Sequence, residues 1–101
     1  MAKKEGLKEV KARVLCDCNP EVAFYVCSGA VLRNIGDMGK LVESMDDTTF
    51  FYHVNKERND FARWVEDIFQ DKALASKLRK AKKQKTFSDV VKKRIKELES
   101  A

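Results

Sequence analysis

Three cysteines and one histidine are the residues of this 101-residue chain best suited to chemistry. Cys16-x-Cys18, Cys27 and His53 together amount to three sulfurs and one imidazole, a legal tetrahedral zinc set. Their spacing argues against that use. Structural zinc sites are built from two C-x₂₋₄-C knuckles, whereas here one tight C-x-C stands with two isolated residues. Free thiols are expected instead, with Cys27 packed in a strand and Cys16 and Cys18 bordering a loop. A structural disulfide does not suit a reducing compartment. Neither a metal nor a cofactor is expected.

His53 opens a second line of chemistry, because Asn55, Asn59 and Asp60 follow it closely. A histidine near a carboxylate can transfer protons. Yet no Ser or Cys nucleophile is marked by a local motif, and no second carboxylate is paired with the histidine. The polar cluster reads better as structural: His53 fixing a helix end, and Asn59 or Asp60 capping the next helix. No enzyme activity is expected.

Charge supplies the third candidate. Residues 1–15 carry a net +3, residues 16–71 a net −6 and residues 72–101 a net +8. The last third includes Lys77, Arg79 and Lys80, then Lys82, Lys83 and Lys85, then Lys92, Lys93 and Arg94. Such a run can neutralise several phosphates with steep salt dependence. It lacks interleaved aromatics for base stacking, and no phosphate loop, zinc finger or RNA-binding sheet motif accompanies it. A solvated lysine-rich helical face is the plainer reading.

These residues must be held by elements the sequence also encodes. Apolar residues make up 44% and charged residues 37%, so the composition provides for one core under a charged surface. Val10 to Leu15 alternates with period two, which predicts a strand. Val22–Cys27 and Ala30–Arg33 flank Ser28-Gly29, predicting a hairpin with a two-residue connection. Met38, Leu41, Val42 and Met45 then fall on one helical stripe behind Asn34 and Asp37, despite the helix-weakening Gly36 and Gly39. Asp46 or Asp47 caps a short helix through His53. Phe50, Phe51 and Tyr52 cannot all face inward from it, so at least one is expected at the surface. Asn59 or Asp60 caps the strongest pattern, Phe61, Trp64, Val65 and Ile68. Leu74, Leu78 and Ala81 resume after a break near Gln70-Asp71, and Thr86 with Asp89 predicts a capping box for a last helix.

The segments Phe50-x-Tyr52-His53-Val54-Asn55 and Asn59-Asp60-Phe61-Ala62-x-Trp64, preceded by the stretch from Phe24 to Leu32, resemble an uncharacterised prokaryotic domain of unknown function. The likeness covers roughly residues 16–82, with Ser28-Gly29 where Asp-Gly is commoner. It implies an intact domain, no transferable activity, and a helix from 86 to 98 that is this chain's own extension.

The resulting expectation is one α+β domain over residues 1–101. A small antiparallel N-terminal sheet within 9–33 is packed by four to five short helices, the helical part running 35–82 and a basic helix 86–99. The charged start Met1-Ala2-Lys3-Lys4-Glu5 and the lack of a spanning apolar run predict a cytoplasmic protein without a membrane segment. The function expected is a small non-enzymatic interaction or regulatory module that docks on another macromolecule, with a protein as the expected partner. The alternative is nucleic-acid binding through the lysine-rich third.

Overall fold

The computed structural model describes residues 6–101; the charged start at residues 1–5 lies outside the described residues. Six helices and one hairpin make an α+β fold: α1 Leu7–Val14, β1 Phe24–Tyr25, β2 Val31–Leu32, α2 Ile35–Ser44, α3 Asp47–His53, α4 Asp60–Trp64, α5 Lys72–Lys80 and α6 Gln84–Glu99. A 3₁₀ turn, Pro20–Val22, precedes the hairpin, and a π-helical turn, Val65–Phe69, extends α4.

The alternating segment at 10–15 is not a strand. It forms α1, and the sheet keeps two strands. Val10 and Val14 stand four apart as well as two pairs of residues apart, so the pattern satisfies both periods. Length and composition decide in favour of the helix. Leu, Lys, Glu, Ala and Arg are good helix formers, and the Gly6 N–H donates to Glu9 Oε2 at 3.2 Å. Val10 and Val14 are buried. Arg13 donates to the Phe69 and Gln70 carbonyls at 2.6 and 3.0 Å, fastening α1 to the end of the π turn.

The hairpin pairs Phe24 with Leu32 and Tyr25 with Val31. Its connection is three residues, not two. The Val26 N–H donates to the Ala30 carbonyl and the Gly29 N–H to the Val26 carbonyl, both at 2.8 Å. The turn thus centres on Cys27-Ser28, with Gly29 following at φ 105°. That is the tight turn plus positive-φ residue of a three-residue loop. Phe24 and Leu32 face the core, while Tyr25 and Val31 face solvent.

Local capping chemistry starts the middle helices where expected. Asn34, Asp46 and Asn59 accept from the N–H groups of Asp37, Thr49 and Ala62. The α6 start departs from expectation. The helix begins at Gln84, and Thr86 sits exposed inside its first turn. Gln84 Nε2 instead donates to the Val42 and Met45 carbonyls at 3.1 and 2.6 Å, tying the α6 start to the end of α2.

One apolar cluster joins all these elements. Its centre is aromatic: Phe24 stacks on Phe61 at 4.7 Å, Phe61 meets Phe87 at 5.5 Å, and Phe87 meets Phe50 at 5.7 Å. Gly39 sets the α2–α6 spacing, because a Cβ there would lie 2.9 Å from Val91 Cγ1. No helix among the described residues is long and apolar enough to cross a membrane.

Candidate functional site

His53 ends α3 almost fully buried, between the hairpin and the start of α4. The Cys27 N–H donates to its Nε2 at 3.1 Å, and its Nδ1 lies 2.9 Å from Asp60 Oδ2. A ring nitrogen that accepts an N–H carries a lone pair, so the other nitrogen carries the proton. Nδ1–H therefore donates to Asp60 in a neutral ring, and the contact is a hydrogen bond rather than an ion pair. Phe24 and Phe61 flank the imidazole at 5.2 Å each. No nitrogen is left to take a proton from a substrate in this conformation.

Asn55 organises the loop that follows. Its Oδ1 accepts from the Glu57 and Arg58 N–H groups, and its Nδ2 reaches the Phe51 and Tyr52 carbonyls. Arg58 donates to the Tyr52 carbonyl at 2.8 Å and lies 4.6 Å over the Tyr52 ring, with Asp60 3.5 Å away. Asn59 caps α4 and also donates to the Leu78 carbonyl at the end of α5. The four polar residues singled out from the sequence thus lie along one stretch. Asp60 completes the histidine pair, and the two asparagines shape the backbone.

Beside this loop opens a cleft of about 590 Å³. Phe51 and Val54 supply its apolar wall, and Lys56, Arg58, Arg79 and Lys82 supply charge. Phe51 is half exposed and rests on buried Phe50 at 5.1 Å. The basic segment thereby gains an aromatic neighbour from α3, 28 residues before Arg79 in the chain. Nothing in the basic segment's own sequence marks this.

The nine basic candidates divide into two groups. Lys77, Lys80, Lys82, Lys83, Lys85 and Lys93 are exposed, with no ion pair among the described residues. The other three turn toward the acidic middle. Arg79 pairs with Glu66 at 2.7 Å and Lys92 with Glu43 at 2.6 Å. These contacts hold Glu66 and Glu43 below the usual carboxylate range and raise Lys92. Arg94 does not face outward at all. It is 8% exposed and grips Asp71 through Nε and Nη2 at 2.9 and 3.0 Å, with Glu97 beside it. Burial alone would lower the Arg94 pKa, but the bonds to Asp71 and Glu97 outweigh it and raise the value. Asp71 also caps α5 through the Leu74 N–H. This buried pair went unread in the sequence, because its members are 23 residues apart and each has a plainer local role.

The three cysteines are free thiols. Cys18 is buried, which pushes its thiol pKa up, with the charge of Arg33 opposing. Cys16 and Cys27 are exposed. No group of three or more His, Cys, Asp or Glu among the described residues could hold a metal, so Cys16, Cys18, Cys27 and His53 do not assemble into a site.

A family model described as "Family of unknown function (DUF5752)" matches residues 14–100. The chain belongs to this family. The DUF5752 match runs through α6, so the last helix is part of the shared fold and not an extension peculiar to this chain. Its packing explains why: Phe87, Val91 and Leu98 are fully buried, and Val91 closes on Gly39. No curated protein and no solved structure matches the chain.

Proposed function

We propose that this DUF5752 chain is a non-enzymatic docking module for another protein, working in the cytoplasm with its thiols reduced. The observation that carries the reading is the exposed pair of surfaces tied to His53. Tyr25 and Val31 sit opposite each other on the solvent face of the hairpin, 67% and 51% exposed. Tyr52, beside His53, is 53% exposed under the Arg58 guanidinium. Exposed aromatics with a stacked arginine are the residue types that anchor protein interfaces, and here two hydrogen bonds to the Tyr52 carbonyl hold the arginine in place before any partner arrives. Engagement of both His53 nitrogens supports a role without catalysis.

Placing the photocrosslinker p-benzoylphenylalanine at Tyr25 and at Tyr52 tests the reading. Irradiation in cells is expected to give the same nuclease-resistant protein adduct from both positions and none from Lys40. Absence of a shared adduct would reject it.

A second reading, nucleic-acid binding through the basic third, is favoured by the six exposed lysines with no ion pair among the described residues. In the same cells it would give nuclease-sensitive adducts that disappear in the Lys82/Lys83/Lys85→Glu variant.

A further inference from the structure

We propose that the cleft between the 54–59 loop and the end of α5 binds a phosphate monoester joined to a flat aromatic base, the chemistry of a nucleotide. The cleft shares Arg58 with the protein-docking surface, but Phe51, Lys56, Arg79 and Lys82 play no part in that reading.

The donors around the cleft suit an anion rich in acceptor oxygens. Lys56, Arg58, Arg79 and Lys82 line it with one acid, Glu57. Arg58 already lies 3.5 Å from Asp60 and gives Nε and Nη2 to the Tyr52 carbonyl, and Arg79 pairs with Glu66, so Lys56 and Lys82 are the lining cations with no ion pair among the described residues. Their donors are only partly engaged. Lys56 has no hydrogen-bond or ion-pair partner among the described residues, and Lys82 Nζ gives one N–H to the Arg79 carbonyl at 3.2 Å. Arg79 meets Glu66 through Nη1 alone, which leaves Nε and Nη2 for a ligand. A phosphate monoester carries about −1.5 to −2 charges at neutral pH and three acceptor oxygens, matching such a donor set better than one carboxylate does.

Phe51 selects what the phosphate is attached to. Its ring is half exposed, yet edge-to-face contact with buried Phe50 limits its freedom. A pinned aromatic beside cationic donors provides a stacking platform, and every nucleobase has a face to lay on it. The volume of about 590 Å³ admits a whole nucleotide. The two asparagines do not compete for the ligand, since Asn55 and Asn59 are held by backbone groups on both sides. They make the cleft; the cations and Phe51 fill its binding role. Either a free mononucleotide or the phosphorylated end of a single strand carries this chemistry.

Chemical-shift titration of the whole chain at low salt tests the proposal with four probes: AMP, inorganic phosphate, and an eight-residue oligothymidylate with and without a 5′-phosphate. AMP is expected to saturate the Phe51, Lys56 and Lys82 signals and to bind more tightly than inorganic phosphate. Lys82→Glu should weaken AMP about tenfold, the loss of one charge-assisted hydrogen bond. Phe51→Ala should weaken AMP by about the same factor while leaving inorganic phosphate unchanged. Both side chains are exposed, so the variants keep the fold, which their unperturbed core signals verify. Tighter binding of AMP than of either oligomer assigns the free nucleotide as the source. A preference for the 5′-phosphorylated oligomer over the unphosphorylated one assigns the strand end. The proposal is overturned if no probe binds, if the shifts gather at Lys77 and Lys93 instead, or if both variants bind AMP as before.

Discussion

His53 joins the end of α3 to the start of α4 and to the hairpin turn 26 residues before it, and its chemistry explains why a histidine serves there. The site needs one acceptor for the Cys27 N–H, one donor for Asp60 and a flat ring between Phe24 and Phe61. A neutral imidazole offers all three at once. Phenylalanine would keep the packing but leave the Cys27 N–H and the Asp60 carboxylate without this partner. His53→Phe is therefore expected to cost about 2–3 kcal/mol in urea unfolding. Asp60→Asn keeps an acceptor for Nδ1–H and should cost less than about 1 kcal/mol. Equal losses in the two variants would show that the side chain at 60, rather than the ring, holds the hairpin end. The proximity of His53 to Asp60 is visible in the sequence, seven residues apart. The third member is not visible, because a backbone N–H has no residue type to announce it.

At the scale of elements, what could be read was what local chemistry decides. Asn34, Asp46 and Asn59 mark helix starts because a short side-chain acceptor meets an N–H within its own turn. Thr86 fails as such a mark because Gln84 engages the end of α2, a contact spanning about forty residues that local spacing does not reveal. The glycines of α2 show the same division. Both weaken a helix by propensity, yet only one has a tertiary reason to remain. Gly39→Ala drives a Cβ into Val91 and is expected to destabilise by about 1–3 kcal/mol. At Gly36 the new Cβ would meet nothing closer than Asn34 Oδ1 at 3.4 Å, so Gly36→Ala should stabilise by up to about 1 kcal/mol. Thermal melts of the two variants check this, and matching shifts of the same sign would refute the assigned α2–α6 contact. The cleft was hidden for a related reason: α3, the 54–59 loop and α5 each bring one part of it.

Over the whole molecule, the acidic middle and the basic end are partly each other's counterions. Glu43 meets Lys92, Glu66 meets Arg79 and Asp71 meets Arg94 across elements. Glu43, Glu66 and the capping Asp46 all have lowered pKa values, through hydrogen bonds from Lys92, Arg79 and Thr49 respectively. Groups depressed by folding stabilise the fold above their ordinary pKa and lose that contribution as pH falls through the folded value. Stability should therefore hold near neutrality and decline below about pH 4.5, the ordinary glutamate range. Melting curves from about pH 6 to pH 3 measure this. A Glu43→Gln/Glu66→Gln chain should show a shallower decline, and an unchanged slope would remove these pairs from the account.

The one tryptophan of the chain has a partner far from its own helix: Trp64 Nε1 donates to the Val22 carbonyl at 2.8 Å, with Phe69 edge-on at 5.0 Å. The molecule thus contains its own optical gauge. Any event that parts the Pro20–Val22 turn from α4, even with every helix intact, lets water reach the indole and moves its emission to longer wavelength. Ligand or partner binding on the hairpin side can be followed by fluorescence in the unlabelled protein.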